Sequence, residues 1–249
     1  MAGKGIYYES QFEEATIELL REAHWQYTFG DDIHRKYTDP LIEEDLRNFL
    51  AAQYKDRDLT TSEIDGIVAN LRNTGGQNDY YALRNAFLLY RDGYDFAYSD
   101  GRDNPFRLEY IDFEHPDHNI FRCVNQFVME QGRENRRPDI LLFVNGIPVC
   151  IIELKNPTKQ NATIRDAHTQ ICTRYMRDIP ALLKYCALAV ISDGAKNALK
   201  LLGGKVEKVH KFNLPCDEGE RTIIVIKKVK PTPKQYPRIS GKIKSQPLR

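Results

Sequence analysis

Long apolar runs are missing from this chain of 249 residues. No stretch approaches the ~18 consecutive apolar residues of a membrane span, so a helical membrane protein is not expected. The N-terminus carries no basic-then-apolar leader. The five cysteines (123, 150, 172, 186 and 216) are scattered. They form no CxxC pair and no finger-type metal spacing, which argues against a disulfide framework and reads as reduced thiols in a cytoplasmic protein. A Gly-x-x-x-x-Gly-Lys-[Ser/Thr] phosphate loop is absent as well, so no ATP site is expected in this chain. A dominant charge sign is also lacking, with a formal net charge of +1. That near-neutrality conceals an asymmetry. From Lys196 onward 14 Lys/Arg face 4 Asp/Glu, whereas the preceding residues hold 22 against 31. An acidic body is followed by a basic tail.

The most informative stretch runs from Arg137 to Pro157. Two short runs rich in Ile, Val and Leu flank Asn145-Gly146, the strongest local signal for a β-hairpin. Asp139 begins the first run, and Glu153 and Lys155 lie late in the second. Charges inside otherwise buried strands are costly and need a reason. Glu153 and Lys155 are two apart and leave the same face of a strand. A strict two-residue loop on Asn145-Gly146 would set Asp139 opposite Ile152, on the wrong face. A three-residue loop from Val144 to Gly146, with Gly146 left-handed, pairs Phe143 with Ile147 and sets Asp139 opposite Ile151. The bulged loop is therefore predicted, with all three charges on one face. Two carboxylates offer hard oxygen ligands to Mg²⁺, and an ammonium can hold an attacking water or a developing anion. The alternative is a structural ion pair at a strand end.

The pattern Pro138-Asp139…Glu153-x-Lys155 resembles that of the PD-(D/E)xK nuclease superfamily. Wider wording resembles the N-terminal nuclease domain of the type I restriction endonuclease R subunit. The matching residues include Tyr110 to Pro116, Asn125 to Phe127, Arg137 to Ile140, Leu142 to Gly146, Ile152 to Pro157, Tyr175 to Pro180 and Ile191 to Gly194, so the resemblance covers roughly residues 6–194. It implies an α/β restriction-endonuclease-like core, a central mixed sheet flanked by helices, preceded by a helical region. On this reading residues 1–105 are the helical part and 106–194 the catalytic core. The resemblance implies Mg²⁺-dependent cleavage of double-stranded DNA, with Asp139, Glu153 and Lys155 catalytic and Asp139, Glu153 and the Leu154 carbonyl on the metal. It further implies modification and specificity subunits as partners, and ATP only in a full-length family protein with its motor.

The same resemblance names accessory residues. A first-helix glutamate, Glu13, borders the metal site in this fold; the alternative is a solvated glutamate favoured by the helix dipole. A Gln-x-x-x-Tyr motif lies beside the catalytic strand, but here Gln170 and Tyr175 are five apart. Five residues turn about 500° on an α-helix, so the two do not stack, and Gln170 with Arg174 is the i,i+4 pair. A π-bulge would restore the alignment. Arg133, Arg136 and Arg137 are candidates for DNA phosphates.

Helices are predicted from a capping box at Ser10/Glu13, from Pro40, from a second capping box at Thr60/Glu63, and over 79–90. Trp25, Tyr27 and Phe29 read as packing, with stacking on a flipped base as the alternative. Strands are predicted over 106–113 and 120–129, a helix over 163–177 and a buried strand over 185–191. His115 and His118 flank Asp117, but with no third ligand nearby the segment reads as a loop. From about residue 195 the wording changes. Residues 195–249 resemble the C-terminal end of the small-subunit ribosomal RNA methyltransferase G family, with a last helix, a strand pair over 206–214 and 222–230, and a basic tail. The cofactor-binding glycine loop of that family is absent, so no methyl transfer is implied. The chain reads as a fusion, natural or from a rearranged gene, and the alternative to a nuclease module is a catalytically silent DNA- or partner-binding remnant.

Overall fold

The computed structural model describes residues 9–154, 164–192, 204–213 and 220–228. They fall into two units, the larger holding every element up to Ser192 and the smaller holding a single hairpin.

In the larger unit the central sheet has five strands: β1 (Gln26–Phe29), β4 (Phe121–Asn125), β7 (Ile140–Val144), β8 (Ile147–Leu154) and β9 (Leu188–Ser192), in the spatial order β1-β4-β7-β8-β9. The outer pairs β1–β4 and β8–β9 are parallel; β4–β7 and β7–β8 are antiparallel. Alternation sorts the strand residues between two cores. Ile140, Cys150 and Ile152 pack with Ile17 of α1 (Glu9–Glu22) on one face. Val124, Leu141 and Ile151 pack with Ile171 and Tyr175 on the other. A third core joins α2 (Glu43–Gln53), α3 (Thr61–Asn73) and α4 (Asp79–Asp92) to the turn end of the hairpin through Val144 and Ile147. Two small hairpins complete the unit: β2 (Tyr94–Phe96) with β3 (Phe106–Leu108), and β5 (Met129–Gln131) with β6 (Glu134–Arg136).

Several boundaries differ from expectation for identifiable reasons. Ser10 lies inside α1, so Ser10/Glu13 is not its cap. The second helix opens at Glu43 rather than at Pro40, because the Ile42 amide donates to the Gly146 carbonyl (2.9 Å) and keeps residues 40–42 out of the helix. Thr60 and Glu63 do form the expected capping box of α3. Strand 106–113 stops at Leu108. Beyond it the Asp112 carboxylate gathers the amides of Glu114 and His115 (3.1 and 2.8 Å) and closes a turn. Strand 120–129 breaks at Gln126, whose φ is 56°, and there Gly30 presses against the Gln126 carbonyl so closely that a Cβ would lie 2.4 Å from its oxygen. The strand predicted as buried over 185–191 is β9, a sheet edge with Leu188 63% exposed.

In the smaller unit β10 (Gly204–Asn213) pairs antiparallel with β11 (Glu220–Lys228), with one irregularity between Val206 and Lys208. The strand pair expected at 206–214 and 222–230 is thus present, shifted by about two residues. The last helix expected beyond residue 195, and the change of wording there, lie outside the described residues.

Candidate functional site

The hairpin corrects the predicted loop. Val144 pairs with Ile147, so the turn is the strict two-residue Asn145-Gly146, with φ of 50° and 75°. The bulge lies inside the ladder instead. Phe143 faces Pro148 but Leu142 faces Cys150, leaving Val149 as the extra residue on β8. Above it Ile140 pairs with Ile152, and continuing that register sets Asp139 level with Glu153 rather than with Ile151. The loop geometry was wrong, yet Asp139 and Glu153 still share the Leu141/Ile151 face. Asn145, fully buried, anchors the turn. Its side chain accepts from the Ile120 amide (2.7 Å) and donates to the Tyr110 carbonyl (2.9 Å) and to Asn119 Oδ1 (2.8 Å).

Glu153 is 1% exposed and is held from the helix over that face. Gln170 Nε2 donates to its Oε1 at 2.5 Å and the Tyr175 hydroxyl donates to its Oε2 at 3.3 Å. Gln170 Nε2 also lies 2.6 Å from the Tyr175 hydroxyl oxygen. Residues five apart can converge in this way because the helix is not regular. After α5 (Ile164–Thr169) come six residues, Gln170–Tyr175, in π-helical form, followed by a last α-turn over Met176–Asp178. An i→i+5 ladder brings Gln170 and Tyr175 together where an α-helix would have paired Gln170 with Arg174. Burial, and then the charge of Glu153, push the Tyr175 phenol well above its ordinary pKa, so it stays a proton donor to the carboxylate.

Asp139, half-buried, accepts the Leu154 amide on Oδ2 at 2.7 Å, which ties the first carboxylate to the strand bearing the second. Lys155 lies outside the described residues. Glu13 accepts hydrogen bonds from Asn125 and Gln126 (2.7 and 3.0 Å) at the end of β4, on the α1 side of the sheet. Asn125 pairs with Ile140, the residue after Asp139, so Glu13 reaches the same end of the sheet but from the opposite face.

An open cleft of about 480 Å³ adjoins this helix. Arg136, Arg137, Arg174 and Arg177 line it together with Gln170 and Tyr175. Arg136 is committed to Asp178, with Nη2 at 2.6 Å, and to Glu134 at 2.8 Å. Arg177 pairs with the same Asp178, whose side chain is 1% exposed, and the two guanidiniums hold that carboxyl below the usual range. Arg133 sits in the exposed turn between β5 and β6, away from the lining. The sequence brings up Arg174 beside Gln170 and Arg177 and Asp178 within the matching stretch, but does not assign them to a cleft; charges on a helix carry no signal of their own until the phase of that helix is known. It also left His115 and His118 without a third partner, and the structure supplies one in Asp112.

Known proteins resemble the chain in two ways. The family described as Type I restriction enzyme R protein N terminus matches residues 6–199. The HindI type I restriction enzyme endonuclease subunit of Haemophilus influenzae is 29% identical over 196 residues, 75% of this chain and 18% of that protein. The MjaIXP endonuclease subunit of Methanocaldococcus jannaschii, itself named as putative, is 30% identical over 190 residues, 73% of this chain and 18% of that protein. The chain thus spans less than a fifth of the length of these relatives. A shorter stretch resembles ribosomal RNA small subunit methyltransferase G of Acetivibrio thermocellus, at 37% over 99 residues, 34% of this chain and 41% of that protein. With the family match covering most of its length, the chain belongs to the type I restriction enzyme R protein N-terminus family.

Proposed function

We propose that the larger unit is a PD-(D/E)xK nuclease module that cleaves duplex DNA with the help of Mg²⁺. One observation carries this reading. A carboxylate that is almost wholly buried, Glu153, is gripped by two donors from a π-helical turn on the face that Asp139 shares. A structural ion pair needs no such positioning. The donor set fits Mg²⁺, since two carboxylates and the Leu154 carbonyl are hard oxygen ligands. When bound, the ion neutralises charge at a phosphoryl oxygen and acidifies a water.

The residues of the chain do the rest. Gln170 and Tyr175 fix the Glu153 rotamer, and the Leu154 amide fixes Asp139. Lys155 holds the attacking water and offsets carboxylate repulsion. Arg137 and Arg174 give the cleft a positive lining for the phosphate backbone, the charges of Arg136 and Arg177 being met by Glu134 and Asp178. On this reading residues 106–194 are the catalytic core, 1–105 its helical part, and 195–249 a basic fragment without methyl transfer. Modification and specificity subunits are the partners, in the cytoplasm.

Nicking of supercoiled plasmid tests the proposal. With Mg²⁺ the parent chain nicks DNA, and Asp139→Asn, Glu153→Gln and Lys155→Ala each lower the rate by about 100-fold or more. A parent chain that binds DNA but does not nick it sinks the enzyme reading and leaves a silent DNA-binding remnant.

A further inference from the structure

We propose that Asp112, His115 and His118 form a Zn²⁺ site that clasps the loop between β3 and β4, separate from the carboxylate pair of the nuclease face. The three residues are spaced by three, and local geometry turns that spacing into convergence. The Asp112 carboxylate closes the turn at residues 114–115, and Pro116–His118 then make one 3-10 turn, in which side chains three apart eclipse. The two imidazoles accordingly lie nearly parallel, 5.0 Å between centroids and 18° apart in tilt. Both present Nδ1 to the same carboxylate oxygen. His118 Nδ1 lies 2.9 Å and His115 Nδ1 3.6 Å from Asp112 Oδ2.

Only the first is a hydrogen bond, since 3.6 Å is too long for one and His115 is held there by stacking on His118. A shared ion accommodates both distances. Zn²⁺ with bonds of about 2.0–2.2 Å in tetrahedral array sets its ligand atoms roughly 3.3–3.5 Å apart, between the two observed values. The carboxylate has capacity left for it. Oδ1 takes the Glu114 and His115 amides and Oδ2 takes Gln53 Nε2 from α2 at 3.0 Å; the other Oδ2 direction faces the imidazoles, where His118 Nδ1 lies at 2.9 Å and where an ion bound to both rings would take the place of that hydrogen bond. Asp112 is 4% exposed while the two histidine side chains are 64% and 56% exposed, so the anchor is rigid and the entry open. Three protein ligands leave a fourth position to water. Imidazole nitrogen with a single carboxylate favours Zn²⁺ over the harder Mg²⁺. The Asp112 backbone is tied in turn through Asn119 to Asn145 of the hairpin turn, so the clasp is anchored to the framework that carries the nuclease face.

Calorimetric titration of the metal-stripped full chain with Zn²⁺ at pH 7.5 tests the site. An Asp139→Asn/Cys172→Ser background excludes the carboxylate pair and the Cys172–His168 contact, whose Sγ and Nε2 are 3.5 Å apart. The expected result is one equivalent bound, lost when His115→Ala and His118→Ala are added, and an unfolding midpoint that Zn²⁺ raises only in the chain retaining both histidines. Because these two side chains are exposed, the substituted chain should fold, which circular dichroism in EDTA verifies. No binding by the background chain, or equal binding after the double substitution, overturns the proposal. DNA nicking plays no part in either readout.

Discussion

Replacing Asn145 by alanine should destabilise the larger unit by about 3–5 kcal/mol. The figure follows from what the side chain holds. Alanine leaves the Ile120 amide and the Tyr110 carbonyl without their partners at 2.7 and 2.9 Å, in a position where Asn145 is wholly buried. Each orphaned group costs about 1–2 kcal/mol. A further ~1 kcal/mol comes from placing a Cβ-bearing residue without a local side-chain hydrogen bond at φ 50°. Asn145→Gly loses the same bonds without the conformational share, so it should be milder than alanine by about 1 kcal/mol. The only tryptophan, Trp25, packs edge-on against Phe121 at 5.2 Å, next to Ile120, and makes urea unfolding visible by fluorescence at the place concerned. An alanine variant within ~0.5 kcal/mol of the parent would refute the role given to Asn145. Equal alanine and glycine variants would refute the conformational share.

Deleting Thr173, which is exposed in the π-turn, should yield an uninterrupted α-helix with the glutamine and tyrosine four apart. Its unfolding free energy should stay within about 1 kcal/mol of the parent, and loss of folding would show that the π-turn has another purpose. The Arg102 guanidinium, then the Thr60 amide, pull the Glu63 carboxyl down to about 2, below its unfolded value near ~4.3. That contribution to stability is complete above the unfolded value and disappears as pH falls toward the folded one, so urea midpoints of Glu63→Gln should decline less than those of the parent between about pH 4.5 and 2.5. Arg137→Ala and Arg174→Ala should each flatten the slope of log K for DNA against log salt by about 0.9, whereas Arg133→Ala should leave it unchanged.

The hairpin was legible because Asn-Gly is a local signal and the charges in apolar strands were conspicuous. Its register was not, because nothing in Pro148-Val149-Cys150 announces which residue will be left unpaired. The Gln170–Tyr175 pair shows the opposite case: the five-residue spacing fits no regular helix and is reconciled only by a π-bulge, which the structure contains. The start of α2 at Glu43 was misplaced because Ile42 answers to Gly146, a residue distant in sequence. Asp112 is legible in the regular Asp-x-x-His-x-x-His spacing, but only the turn at residues 114–118 decides that it, and not Asp117, meets the two imidazoles.

The unpaired Val149 works as a parity device. An antiparallel ladder run straight from the Asn145-Gly146 turn would send an acid at 139 and an acid at 153 to opposite sides of the sheet; one supernumerary residue inverts that relation for everything above it. Shortening or lengthening either arm by a single residue between the turn and the acids therefore divides them, whatever the chemistry of the residue removed. Two such changes, one in each arm, would reunite them.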